Sequence, residues 1–348
     1  MKKKLYWIGR FRGISGFAQS TRNYVSAILS YIPDLAIGPI SALEDDDPFN
    51  KYCFEPSDPC FEVCNHLPTT NPWADAFFSV IEYDGIPEDW VEPISNAKLI
   101  MTQSNFCKDI FSKYASCSTP ISVIPHIISK NFSPRGKLKR YFDKNTFIFG
   151  SIFEWVPRKQ PYLLIQAFLE AFKDCNDVKL LIKTYYYPFK HSILSHHLKE
   201  QGFEYPENEL QKIVIITDSF SDLSEFYRGL DCYVSCTAGE GYGQTLCEGM
   251  SCGVPTIGAN HSGNLDFMNQ SNSLLVDVED WSPCAEFPYL NWKIPNFDSF
   301  VKTLRWVYDN KESDKIKRIS ENAAKISAEL TAEIVGKKIF DTLEPFLG

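Results

Sequence analysis

The sequence contains no hydrophobic run long enough to cross a membrane as a helix. The apolar run Leu5-Tyr6-Trp7-Ile8, behind Met1-Lys2-Lys3-Lys4, is far too short for a signal peptide. Basic charge is not in excess. The 35 Lys and Arg face 44 Asp and Glu, a formal net charge of −9, which argues against a dedicated nucleic-acid binder. No paired CxxC exists. The 11 cysteines are odd in number and scattered, and the spacing of Cys53, Cys60 and Cys64 does not suit a zinc site. With no secretion signal, reduced thiols in a cytosolic protein are expected. The glycines of the first loop, Gly9, Gly13 and Gly16, do not form the dinucleotide fingerprint, which counts against hydride chemistry. No repeat of solenoid length and no low-complexity segment occurs.

What is present is a chain of 348 residues, 44% hydrophobic, enough for two domains with separate cores. Short apolar runs alternate with helical patterns. In the first half, strands are expected at 5–8, 61–65, 77–81, 98–102 and 121–124, with helices at 17–31 and 104–114. That alternation implies a parallel sheet covered on both faces, an α/β class, with ligands at the carboxyl ends of the strands. Arg12, His66, Glu82 and His126 fall near that edge. From 131 to 143 the pattern lapses into a basic stretch with Pro134 and Gly136, expected to be a linker. A second α/β half runs from 144 to 331. Its strands are expected at 147–152, 178–182, 213–216, 232–235, 256–259 and, last, 274–276. Helices only are expected beyond Pro295. The acidic run Glu44-Asp45-Asp46-Asp47 reads as a solvated loop.

One stretch carries the chemistry. The strand Cys232-Tyr233-Val234-Ser235 leads into a turn with Gly239, Gly241 and Gly243. A helix from about Thr245 to Ser251 follows, stopped by Gly253 and Pro255. A helix amino terminus aimed at such a turn binds anions, because unbonded N–H groups and the helix dipole converge there. Glu240 and Glu248 flank it. A carboxylate beside a phosphate is unfavourable unless it binds something else, and sugar or ribose hydroxyls are the obvious partners.

The stretch Glu240 to Pro255 resembles the E-x7-E signature of the family 4 retaining glycosyltransferases, including the Gly-aromatic-Gly turn and the Cys-Gly-x-Pro ending. Gly150 to Phe168, with Pro157-Arg158-Lys159, resembles the family's donor-phosphate loop. Ser15-Gly16-Phe17-Ala18 with Arg22 resembles its first glycine loop. Glu82-Tyr83-Asp84-Gly85 with Trp90, Ser104-Asn105-Phe106 and Val123-Ile124-Pro125-His126 look like the amino-terminal half of bacterial members. The resemblance covers roughly residues 5–345.

The resemblance implies a GT-B architecture: two Rossmann-like domains over a cleft. Residues 1–130 would hold the acceptor, 144–331 the donor, and the last helix, 332–348, would return to the first domain. It implies sugar transfer from a UDP- or GDP-sugar with retention and without an obligatory metal. Without a metal, cations and amides must stabilise the departing diphosphate. Lys159, Arg158 and Lys183 are the candidate cations. The N–H groups of Gln244, Thr245 and Leu246 after Gly243 are the candidate amides. Gly16 would admit the diphosphate to the first loop. Glu248 would hold ribose hydroxyls and Glu240 would lie at the transferred sugar. On the acceptor side His66 is the candidate base, with Glu82, His126 and Arg12 beside it. Tyr83, Trp73, Trp90 and Tyr185 to Tyr187 could stack on sugars or simply be packed. His191, His196 and His197 receive no role.

The expected partners are a nucleotide-sugar donor and a glycan or glycoconjugate acceptor, with no nucleic acid. The expected place is the cytoplasm. The Lys2–Lys4 cluster and the basic stretch leave a weak peripheral contact with the inner membrane face open. The alternatives are a nucleotide-sugar-binding protein without transferase activity and a nucleotide-sugar hydrolase or epimerase on the same fold.

Overall fold

Two all-parallel sheets of six strands each organise the chain in its computed structural model, which describes residues 3–13, 15–55, 59–185 and 194–348. Lys2, Tyr186, Tyr187, His191 and the His197 side chain lie outside the described set. The chain divides into two units, Met1–Ser129 with Ala328–Gly348, and Lys130–Ser327.

In the first unit the strands are β1 (Lys4–Gly9), β2 (Ala36–Pro39), β3 (Cys60–Asn65), β4 (Ala76–Phe78), β5 (Leu99–Thr102) and β6 (Ile121–Val123). Their order is β2-β1-β3-β4-β5-β6. The direction of strand addition reverses between β1 and β3, which makes their carboxyl ends the switch point where ligands bind in such sheets. The helices are α1 (Gly16–Ile28), α2 (Val91–Asn96) and α3 (Asn105–Phe111). Ser15 caps α1 by accepting from Ala18 N, and Ser104 caps α3 by accepting from Cys107 N. Strand β2 was not anticipated. Its four residues, Ala-Ile-Gly-Pro, are too short and too Gly/Pro-rich to show a pattern.

In the second unit the strands are β7 (Phe147–Ile152), β8 (Val178–Lys183), β9 (Ile213–Ile216), β10 (Cys232–Val234), β11 (Thr256–Ala259) and β12 (Leu274–Val276), in the order β12-β11-β10-β7-β8-β9. This is the doubly wound order of dinucleotide-binding domains, with the switch point between β7 and β10. Every residue of β7 is buried, as befits a central parallel strand with helices on both faces. Strand β12 is not the last strand. A two-stranded antiparallel hairpin, β13 (Val278–Pro283) and β14 (Asn291–Pro295), follows it. Its exposed face carries Glu279, Asp280 and Trp281, so no apolar run announces it.

The helices of this unit are α4 (Pro161–Ala171), α5 (Leu194–Glu200), α6 (Glu207–Leu210), α7 (Ser224–Arg228), α8 (Gln244–Ser251), α9 (Phe297–Asp309) and α10 (Asp314–Ala324). The basic stretch 131–143 belongs to this unit and is fastened to it. The Arg228 guanidinium donates to the carbonyls of Asn131, Ser133 and Lys137, and Arg140 pairs with Asp231 at 2.9 Å.

The last helix, α11 (Ala332–Leu347), returns to the first unit and packs on α1. Val335, Ile339, Leu343 and Leu347 recur at helical spacing and join Tyr24, Val25 and Ile28 in one core. Thr331 caps it. Among the described residues no helix is long and apolar enough to cross a membrane. Because Leu343 is fully buried, Leu343→Ala should cost about 2–5 kcal/mol. An unchanged urea midpoint for that variant would contradict the packing of α11 in this core.

Candidate active site

The switch point of the second unit gathers the carboxyl ends of β7 and β10. After β7 the chain makes one 3-10 turn, Pro157–Lys159. It then passes through Gln160 in the left-handed region (φ 48°) and enters α4 at Pro161. After β10 comes the glycine turn. The two loops are sewn together: Ala238 N donates to the Arg158 carbonyl at 2.8 Å, and the Arg158 guanidinium donates to the Gly239 carbonyl at 2.7 Å. The Lys159 ammonium donates to Glu240 Oε1 at 2.5 Å, and Arg158 lies 3.8 Å from Oε2.

Glu240 is only 7% exposed. Burial pushes its carboxyl up, but the Lys159 ammonium, the Arg158 guanidinium and hydrogen bonds from Lys159 and Thr237 outweigh it and hold the group below the ordinary carboxylate value. The site therefore carries an ionised carboxylate beside two cations at neutral pH.

Helix α8 begins at Gly243, whose φ of 98° only glycine adopts cheaply. No side chain caps its first turn, and none caps α4. By contrast α1, α9, α10 and α11 each carry a Ser, Asn or Thr cap. Helices α2, α6 and α7 also lack a side-chain cap, but α4 and α8 are the ones that start at the switch point, where their first-turn amides can receive an anion. Gln244, Thr245 and Leu246 form the first turn of α8, with Gly243 before it.

A third loop supports the turn and was not anticipated. Ser262 Oγ accepts from Glu240 N at 2.9 Å, and Gly263 N donates to the Glu240 carbonyl at 2.9 Å. A Cβ on Gly263 would lie 2.2 Å from the Gly241 carbonyl oxygen, so only glycine fits. Ser262 has a φ of 71°. It and Gln160 are the non-glycine residues with positive φ among those described, and both border this site, where backbone strain tends to collect. The hairpin adds a further brace: Lys293 N donates to the Ala238 carbonyl at 3.2 Å. Next to Ser262, His261 lies edge-on to Trp281 at 5.2 Å. Burial, then the Lys293 ammonium, hold its imidazole down to about 4.

Glu248, on the first full turn of α8, is 2% exposed. Tyr227 donates to its Oε2 at 2.8 Å and the Gln244 amide donates to its Oε1 at 2.9 Å. Burial pushes this carboxyl up to about 7 against the pull of those bonds. The two glutamates of the motif are therefore held in opposite ways, Glu240 by cations and Glu248 by neutral donors.

Lys183 ends β8 and is buried, but its ammonium donates to the Asp218 carbonyl at 2.9 Å and lies 4.8 Å from the Tyr185 ring. Burial lowers its pKa and Asp218 opposes this. It stands one strand away from the Arg158–Lys159–Glu240 group and makes none of that group's bonds.

The remaining candidates belong to the first unit. At the β1/β3 switch point Thr21 donates to Asn65 Oδ1 at 2.9 Å and Asn65 donates to the Phe78 carbonyl at 3.0 Å, tying α1, β3 and β4 together. His66 follows Asn65. Its Nδ1 is 2.8 Å from Thr70 Oγ1 and its ring packs on Phe17 at 5.0 Å. Burial, then the Arg10 charge, lower its pKa, so it is a neutral imidazole at pH 7. Gly16 opens α1. Arg22 donates to the carbonyls of Phe11 and Gly13 and holds the first loop in place. His126 is buried and stacks on Tyr24. Glu82 lies half-buried beyond β4. Arg12 is exposed and pairs with Glu44 at 3.2 Å. Trp73 is exposed, whereas Tyr83 and Trp90 are buried. Among the described residues no group of three or more His, Cys, Asp or Glu is placed to hold a metal ion.

The Lys159–Glu240 pair yields a stability prediction. Glu240's lowered pKa means that its contribution is full above the ordinary carboxylate range and is lost as pH falls through the lowered value. Lys159→Met should cost on the order of 3 kcal/mol at neutral pH, and the deficit should shrink in acid. An equal deficit at both pH values would show that the pair is not its source.

Comparison with known proteins agrees with this geometry. Residues 143–286 match the family model described as glycosyl transferases group 1. No curated protein matches the chain. Among solved structures, the chain is similar to Anabaena HepE in complex with UDP and glucose, with a TM-score of 0.70 at 12% identity over 99% of this chain and 100% of that one. It is similar to the sucrose-phosphate synthase of Thermosynechococcus elongatus, with a TM-score of 0.71 at 10% identity over 99% of each chain. It is also similar to a glycosyltransferase from Rickettsia africae, with a TM-score of 0.66 at 16% identity over 99% of each chain. The chain thus has the GT-B fold, two Rossmann-like units in one polypeptide, and residues 143–286 of its second unit match the glycosyl transferases group 1 model.

Proposed function

We propose that the protein is a retaining glycosyltransferase. It moves a hexosyl or related sugar from a UDP- or GDP-sugar to a hydroxyl of a glycan or glycoconjugate, without an obligatory metal. The observation that carries this reading is the Arg158–Lys159–Glu240 group beside the uncapped start of α8.

In the reaction the bond from the sugar's anomeric carbon to the β-phosphate oxygen breaks. A new bond forms to the acceptor oxygen on the same face, and the acceptor proton passes to the departing phosphate, either directly or by way of a neutral base of the first unit. Negative charge grows on the diphosphate. Lys159, Arg158 and the amides of Gln244, Thr245 and Leu246 meet it, and such preorganised donors are worth about 3–4 kcal/mol each where charge develops. Lys183 is a reserve cation that would have to leave the Asp218 carbonyl to take part. Glu248 receives ribose hydroxyls. Glu240, kept ionised, orients the hydroxyls of the donor sugar or stabilises the oxocarbenium-like state. Gly16 gives the diphosphate access to the first loop.

The first unit selects the acceptor. His66, neutral and next to the switch-point asparagine, is its candidate base. Glu82, His126 and Arg12 are its other candidates. The eleven cysteines are free thiols, which suits a reducing compartment. The acceptor is accordingly in the cytoplasm or at the inner face of the membrane.

The test is nucleotide release from UDP- and GDP-sugars, with and without glycan acceptors, in the presence of a chelator. Product stereochemistry is read by the anomeric proton coupling. Acceptor-dependent release with retention, undiminished by the chelator, is expected. Release without acceptor would indicate a hydrolase, and binding without release a binding protein. Glu248→Ala should raise the donor KM about tenfold or more, and an unchanged KM would remove Glu248 from the donor site.

A further inference from the structure

Glu248 is oriented by two neutral donors from different elements. The Tyr227 hydroxyl, on α7, reaches Oε2 at 2.8 Å, and both residues are buried. The Gln244 amide reaches Oε1 at 2.9 Å from the first residue of α8, where the side chain is only partly buried. The carboxyl therefore has one oxygen locked into the core and one behind a side chain that solvent reaches. The cations of the site, Arg158 and Lys159, pair with Glu240 instead.

Tyr227 is itself rigid. Its ring lies 5.9 Å from Phe132, 5.9 Å from Phe226 and 5.2 Å from Tyr233. A hydroxyl on a ring fixed by three others is a preorganised donor, the kind of support that sets a binding group's direction. This cage does not explain why a tyrosine stands there, since phenylalanine would fill it equally. The hydroxyl has one partner of consequence, Glu248.

We propose that Tyr227 is a positioning residue for the nucleotide donor. By holding Oε2 it turns Oε1 toward the ribose hydroxyls, and Gln244 covers Oε1 until the nucleotide replaces it. The proposal rests on the donor-site reading above.

A carboxyl that accepts from two ribose hydroxyls and from Tyr227 must be ionised, because a protonated oxygen loses acceptor capacity. The titratable groups that face it are Tyr185, Tyr227, Tyr233, Cys247 and Cys252. None of these is cationic, so the Tyr227 and Gln244 bonds carry the stabilisation of the charge. Donor affinity should accordingly fall as pH drops through the point where Glu248 takes up its proton. Loss of the Tyr227 bond should move that point to higher pH.

The test is calorimetric binding of UDP and GDP to the full chain across the neutral pH range, with donor kinetics, for wild type, Tyr227→Phe, Glu248→Gln and the double variant. Tyr227→Phe should weaken nucleotide binding about tenfold. The loss should appear in donor KM rather than in kcat, and the pH midpoint should shift upward. In the Glu248→Gln background the same change should add little, because the two residues act as a unit. A Tyr227→Phe protein with wild-type affinity and midpoint overturns the proposal, as do additive losses in the double variant, and either result leaves the donor site standing. Wild-type protein that binds neither nucleotide overturns the donor reading and this proposal together.

Discussion

The ion pair between Lys159 and Glu240 joins the two loops that leave the switch point of the second unit. One loop follows β7 and has a single 3-10 turn of its own, and the other follows β10. The pair, with Arg158 bonded to the Gly239 carbonyl, fixes where both loops end and hence where α8 begins. It is also the electrostatic core of the site. The buried Glu240 carboxylate stays charged because Lys159 and Arg158 compensate it, and under the proposed function the same two cations meet the departing diphosphate. A donor must then share Lys159 with Glu240.

Glu240 and Glu248, eight residues apart, show how one motif yields two chemistries. Glu240 sits in a glycine turn where two basic side chains reach it. Glu248 sits on the buried face of α8 against Tyr227. Their environments push their pKa values apart, one below the usual carboxylate range and one to about 7. That divergence suits a permanently charged group at the reacting sugar and a hydrogen-bonding group at the ribose.

The sheets and the glycine turn were legible in the sequence because their signals are local. β7 is a six-residue, largely apolar run, α4 starts at a proline, and Gly239, Gly241 and Gly243 mark a turn in which Gly243 takes a φ of 98°. Glu240, Arg158 and Lys159 stood out as candidates because they lie in those loops, and Glu248 because it follows them on α8. The hairpin β13–β14 was missed because Glu279, Asp280 and Trp281 are exposed and give β13 no apolar run. Tyr227, Ser262, Gly263 and Asn65 were missed for another reason. Each acts on a residue distant in sequence, and only the folded sheet order brings Tyr227 to Glu248 or Ser262 to Glu240. The run Ser262-Gly263-Asn264 directly after a strand was the one available signal. Lys183, legible as a strand-end lysine, donates to the Asp218 carbonyl, a partner distant in sequence that no local signal announces.

The central claim is that the start of α8 receives a diphosphate while Glu248 receives the attached ribose. The most direct measurement is a crystal structure of the protein with bound UDP or GDP. The account predicts phosphate oxygens within hydrogen-bond distance of Lys159 and the amides after Gly243, the ribose hydroxyls on Glu248 Oε1, and the Gln244 amide displaced from it. A nucleotide bound elsewhere, such as in the cavity of about 610 Å³ between β12, α9 and α10 lined by Lys302, Trp306 and Lys315, would contradict it.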